Sequence, residues 1–115
     1  MLQTRFCELF DIEVPLLQAA IWPATAPDLV AEVSNTGALG SLGAIFGSAD
    51  RVRQQMERVR ELTGRPFVVN HVVPMLDEEA LEATLESPPA AVSLRAWGSR
   101  RPRGSRARCR SEGDP

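Results

Sequence analysis

A chain of 115 residues with 43% hydrophobic and 24% charged content and a formal net charge of -2 has room for one small globular domain. No apolar stretch approaches the ~20 uninterrupted residues of a membrane-spanning helix. The N-terminus carries Glu8 where a secretory leader needs its apolar core, so the expected location is the cytoplasm. Cys7 and Cys109 stand at opposite ends with no CxxC or Cys/His spacing, which argues against both a zinc site and a disulfide framework.

The run Val14-Pro-Leu-Leu-Gln-Ala-Ala-Ile21 is continuously apolar rather than alternating, the pattern of a strand buried on both faces of a parallel sheet. Thr25-Ala-Pro27-Asp28 offers a hydroxyl cap, a first-turn proline and an acid near the positive end of a helix dipole. Leu29, Val30 and Val33 follow at helical spacing, and Gly37 supplies the stop. A second unit opens with Ala38-Leu-Gly-Ser-Leu-Gly43, whose glycines predict a strand approached closely by other groups. Ser48-Ala-Asp50 caps the longest helix, in which Val52, Met56, Val59 and Leu62 form one apolar stripe opposite an Arg/Glu face, and Gly64 ends it.

The third unit repeats the rhythm. Pro66-Phe-Val-Val-Asn-His-Val-Val73 reads as a strand, Pro74 breaks it, and Asp77-Glu-Glu79 opens a helix carrying Leu81 and Leu85. Ala90-Ala-Val-Ser-Leu94 reads as a fourth strand. Strand and helix alternate with buried-type strands, which predicts a parallel sheet joined by right-handed crossovers, open or closed into a barrel.

The chain changes character at Arg95. Residues 1–94 hold 6 Arg against 13 acids, whereas residues 95–115 hold 7 Arg against 2 acids and lack apolar periodicity. A composition of Arg, Gly, Pro, Ser and Ala cannot build a core, so disorder is the expectation for 95–115. All 13 basic residues are Arg, a sign of a gene rich in G and C, and an out-of-frame reading of such a gene yields just this composition. Clustered Arg with Gly and Ser can also hold phosphates, but beyond Trp97 no aromatic interleaves with the arginines, which argues against nucleic acid as a partner.

Four motifs in order carry a resemblance to a known family: Thr4-Arg-Phe-Cys-Glu-Leu-Phe-Asp-Ile-Glu-Val-Pro15, then Leu16-Leu-Gln-Ala-Ala20, then Leu29-Val-Ala-Glu-Val-Ser-Asn-Thr-Gly-Ala-Leu-Gly-Ser-Leu-Gly43, then Arg60-Glu-Leu-Thr-Gly-Arg-Pro-Phe-Val-Val-Asn70. Over residues 1–94 the chain closely resembles the opening of nitronate monooxygenases, also called 2-nitropropane dioxygenases. Flavin-dependent enoyl-acyl-carrier-protein reductases share this opening.

The resemblance implies an α/β fold, the N-terminal part of a TIM-type (β/α)8 barrel of about three and a half units, incomplete and followed by the Arg-rich tail. It implies FMN as cofactor, an alkyl nitronate as small-molecule substrate, and oxidation by molecular oxygen to a carbonyl compound and nitrite. It also implies that this chain alone is inactive, since the family's catalytic histidine and the phosphate-binding loops near strands seven and eight lie in later segments. Two alternatives stand beside it: an enoyl reductase fragment, and a non-catalytic fragment with a weakly nucleic-acid-binding tail.

By resemblance, the flavin lies along the loop that follows the first strand, here Ala19, Ala20 and Ile21. Ile21 stands where the family pattern has methionine, and Trp22 adds bulk. Asn70 matches the family's FMN-contacting asparagine, and an amide can pair with a flavin's mixed polar edge. No catalytic residue and no metal ligand is assigned. His71, the sole histidine, is expected to face the outer helix layer because strand alternation turns it away from Asn70. Gly40 and Gly43 lack the strand, GxGxxG and helix arrangement of a phosphate cradle and read as small residues of a barrel strand.

Overall fold

A computed structural model describes residues 2–21, 24–45 and 47–96. The Arg-rich stretch from Trp97 onward, together with Trp22, lies outside the described residues, as do the expectations made for them.

The elements follow the predicted rhythm with one addition at the start. Helix α1 (Arg5–Phe10) was not anticipated. Its N-cap is Thr4, whose hydroxyl accepts from the Cys7 N–H at 3.4 Å, and Asp11 ends it in the left-handed region at φ 54°. The remaining order is α2 (Pro27–Asn35), β1 (Gly40–Gly43), α3 (Ala49–Leu62), β2 (Phe67–Val72), a 3-10 turn over Val73–Met75, α4 (Glu78–Glu86) and β3 (Ala91–Arg95).

The three strands are parallel and lie in sequence order, β1-β2-β3. The register pairs Gly40 with Phe67, Gly43 with Asn70 and Asn70 with Ser93. Leu42 of β1 and Phe67 and Val69 of β2 share one core with Val30, Val52, Met56, Val59 and Ala80 from α2, α3 and α4. All three crossover helices therefore cover the same face. Consecutive strand order with helices on one face is single winding, which curls toward a barrel, whereas doubly wound sheets reverse their order and carry helices on both faces.

The opposite, inner face has its own smaller core. Leu39 and Val68 pack with Cys7 and Ile12, joined by Phe6, Phe10 and Ala91. Helix α1 thus closes the amino-terminal end of the inner face, with Phe6 and Phe10 edge to face at 5.0 Å.

Several sequence expectations are corrected. The apolar run of residues 14–21 is not a full strand: it makes one parallel bridge, Leu17 with Leu39, through Leu39 N–H to Leu16 O and Gln18 N–H to Leu39 O. Leu16, Leu17 and Ile21 are exposed because no further strand covers them among the described residues. Thr25 does not cap α2. Ala26 holds the N-cap position without a side-chain bond, and the Thr25 hydroxyl instead ties back to Ile21. In α4 the buried face is Ala80, Ala83 and Thr84, while Leu85 is exposed: Ala80 enters the core shared with α3 and β2, and Thr84 meets His71. Strand β3 runs through Arg95, one residue beyond the expected end of ordered pattern.

Gly40 shows why β1 needs glycine. A Cβ there would lie 2.3 Å from Val30 O and 2.8 Å from Ser34 Oγ. The wholly buried Ser34 uses this approach: its hydroxyl donates to Pro66 O at 2.8 Å and accepts from Gly40 N–H at 3.1 Å, joining α2 to both flanking segments. His71 turns outward as strand alternation requires. It is buried, with Nε2 3.0 Å from Thr84 Oγ1.

Candidate functional site

On the inner face, the carboxyl ends of the strands gather small and polar residues. Gly43 ends β1, with Ala20 beside it: a Cβ added at Gly43 would meet Ala20 Cβ at 3.7 Å and Thr25 Oγ1 at 3.8 Å, ordinary contact distances. Asn70 is paired with Gly43 in the neighbouring strand and is half-buried. Its Oδ1 accepts from Ser93 Oγ at 2.6 Å across the next strand pair. The mouth so formed joins Ala20, Gly43, Asn70 and Ser93.

The loop that follows Leu17 is fixed by two side chains rather than by a strand ladder. Gln18 Oε1 accepts from Ser41 N–H at 3.2 Å, and its Nε2 donates to Ser41 O at 3.3 Å and to Ala19 O at 2.6 Å. The amide substitutes for the missing backbone partner on that edge of β1. Thr25 closes the other end: its hydroxyl donates to Ile21 O at 3.1 Å and accepts from Ile21 N–H at 3.2 Å. Gln18, Thr25 and Ser93 were not singled out as site residues by sequence reasoning. Gln18 had a sequence signal, a lone amide inside an apolar run; the position of Ser93 depends on strand register, which the sequence does not give.

Of the residues the resemblance proposes, the structure brings Ala20 and Asn70 to the same mouth through Gly43. Ala19 and Ile21 are exposed on the loop above it. His71 belongs to the other face. Thr84 Oγ1 donates to Ala80 O at 2.9 Å, so its oxygen accepts from His71 and the imidazole carries its proton on Nε2. Burial lowers the His71 pKa from its ordinary value, which keeps the ring neutral.

Concavities elsewhere are lined by engaged side chains. Between α3 and α4, Arg53 is shared by Asp50 and Glu86. At the amino-terminal ends of the strands, Arg60 donates to Ser87 O at 2.7 Å and stacks over Phe67, and Arg65 pairs with Glu13. Among the described residues no group of three His, Cys, Asp or Glu side chains could hold a metal ion, and no helix is long and apolar enough to cross a membrane.

The fit of a flat heterocycle to the mouth can be judged from these atoms. Ala19, Ala20 and Gly43 present only small groups at this mouth, and the Asn70 amide nitrogen donates to no described residue. The residues present fit such a group on its ring side.

A singly wound parallel sheet with helices outside, an amino-terminal end closed by α1 and a polar mouth at the carboxyl ends of the strands defines the opening units of a TIM-type barrel. Two solved structures share this arrangement: FabK from Thermotoga maritima, with a TM-score of 0.76, 28% identity and 82% of this chain covered, and the nitroalkane oxidase from Streptomyces ansochromogenes, with a TM-score of 0.68, 26% identity and 79% covered. The chain belongs to the nitronate monooxygenase family, whose sequence model matches residues 3–93. It is 44% identical over 73 residues to a probable nitronate monooxygenase of Staphylococcus saprophyticus and 39% identical over 72 residues to that of Staphylococcus aureus. Those matches cover 64% and 63% of this chain but only 21% and 20% of the relatives' length. The chain spans 30% of FabK and 35% of the nitroalkane oxidase.

Proposed function

We propose that these units form the ring side of an FMN site in an oxidoreductase that oxidises alkyl nitronates with molecular oxygen to a carbonyl compound and nitrite, and that the 115-residue chain alone does not turn over. The observation that carries the reading is the juxtaposition of Ala20, Gly43 and Asn70 at the carboxyl ends of the strands, in a chain of the nitronate monooxygenase family. The flavin, when bound, supplies the electron transfer. The protein's own part is positional: Ala19 and Ala20 leave the ring its space, Ile21 offers an apolar contact, and Asn70 fixes one polar edge.

A phosphate needs charge-assisted donors or helix N-termini, and TIM-type barrels commonly place them after strands seven and eight. His71, the sole histidine of the chain, faces the helices and not the mouth. The family match favours nitronate chemistry over the enoyl reductase alternative.

The test is a fluorescence titration of the purified chain with FMN and with riboflavin, beside circular dichroism and nitronate-dependent oxygen uptake. The expected result is a folded chain that binds both flavins weakly, within about threefold of one another, and consumes no oxygen. FMN binding tenfold tighter than riboflavin, worth about 1.4 kcal/mol, or any nitronate-dependent oxygen uptake would overturn the incomplete site. A folded chain blind to both flavins would overturn the ring-side assignment itself.

A further inference from the structure

The Asn70 amide has two faces of opposite hydrogen-bonding sense, an acceptor oxygen and a donor nitrogen, and which one looks into the mouth decides what it can recognise. Ser93, on the adjacent strand in direct register with Asn70, lies 2.6 Å from Oδ1. A hydroxyl has one proton, and that of Ser93 is given to Asn70 with no other acceptor among the described residues. The flipped amide would leave this proton unused in a half-buried position, a loss that favours the observed orientation.

We propose that Ser93 is a positioning residue that holds Asn70 by its oxygen, so that Asn70 presents only N–H donors to the ligand. The ring edge lying against Asn70 is then an acceptor edge, a carbonyl oxygen or an unprotonated ring nitrogen, and not a ring N–H. The inference rests on the flavin-site reading for the identity of the ring, but the Ser93 to Asn70 bond stands without it.

The experiment is nitrogen-15 relaxation of the Asn70 side-chain amide in the 115-residue chain, for the wild type, Ser93→Ala and Ser93→Thr, with riboflavin titrations of each. In the wild type and Ser93→Thr the amide is expected to be nearly as ordered as rigid backbone, with an order parameter of about 0.85, and in Ser93→Ala to fall below about 0.6. Riboflavin affinity should drop about tenfold in Ser93→Ala and recover to within about threefold in Ser93→Thr. A lost side chain that merely loosened the sheet would disturb backbone amides around β2 and β3 together, and it would not single out the Asn70 side chain. An amide equally ordered in all three proteins overturns the positioning role, whatever the flavin does. A wild type that ignores riboflavin while its Asn70 amide depends on the Ser93 hydroxyl refutes the flavin reading and leaves the positioning role standing.

Discussion

Gly40→Ala tests the close joint between helix and strand. The added methyl would sit 2.3 Å from Val30 O, a backbone atom that cannot swing aside, and 2.9 Å from Val30 Cγ1. Helix α2 must therefore move off β1 or the strand must bend. Overpacking of this kind costs about 1 to 3 kcal/mol, and displacement of α2 also breaks the buried Ser34 bonds to Gly40 N–H and Pro66 O, each loss worth about 1 to 3 kcal/mol. Even the low end of these ranges, about 3 kcal/mol, is a large share of a small domain's stability and corresponds to a fall of roughly 12 to 24 °C in Tm. Gly64→Ala is the control, because a Cβ there meets nothing within 4 Å and the shorter list of unfolded conformations favours the folded state by about 0.4 to 1 kcal/mol. Thermal unfolding followed by circular dichroism compares the two. Equal midpoints for Gly40→Ala and Gly64→Ala would refute the close-packing argument.

Two further outcomes are expected. His71 has its pKa lowered from 6.5 by burial, so the unfolded chain binds the extra proton first; the stability it contributes is complete above pH 6.5 and is lost as the pH falls toward the lower folded value. The difference in urea midpoint between the wild type and His71→Gln should shrink from pH 7.5 to pH 5.5, and a difference independent of pH would sink the assignment. Gln18→Ala should speed hydrogen exchange of the Ser41 amide about tenfold and cost about 1 kcal/mol, whereas Gln18→Glu, which keeps an acceptor for Ser41 N–H, should preserve most of that protection; unchanged exchange in Gln18→Ala would show that the edge is sealed by something else.

The alternation of strand and helix was legible in the sequence because its signals are local. The Ser48 and Asp77 caps and the Gly37 stop each act within a few residues and form as read, and of the stripe Val52, Met56, Val59 and Leu62 the first three are buried while Leu62, at the helix end, is exposed. The outward turn of His71 followed from the period of a strand alone. The need for Gly40 was visible as a close approach, but not the identity of its neighbour, since Val30 and Ser34 meet it only through the crossover.

What only the tertiary structure decided concerns partners across strands. The run of residues 14–21 has the composition of a buried strand, yet a strand is defined by its neighbours, and with only Leu39 to pair with it keeps a single bridge and borrows the Gln18 side chain for the next. In α4 the sequence marks Leu81 and Leu85 as the large apolar residues, but the buried face is Ala80, Ala83 and Thr84, with Thr84 bonded to His71 of β2. Register likewise set Ser93 opposite Asn70, and so fixed which face of that amide the mouth receives. Residue types and their periods determine the elements because those forces are short-ranged; the site waits on register and packing because its members come from separate strands.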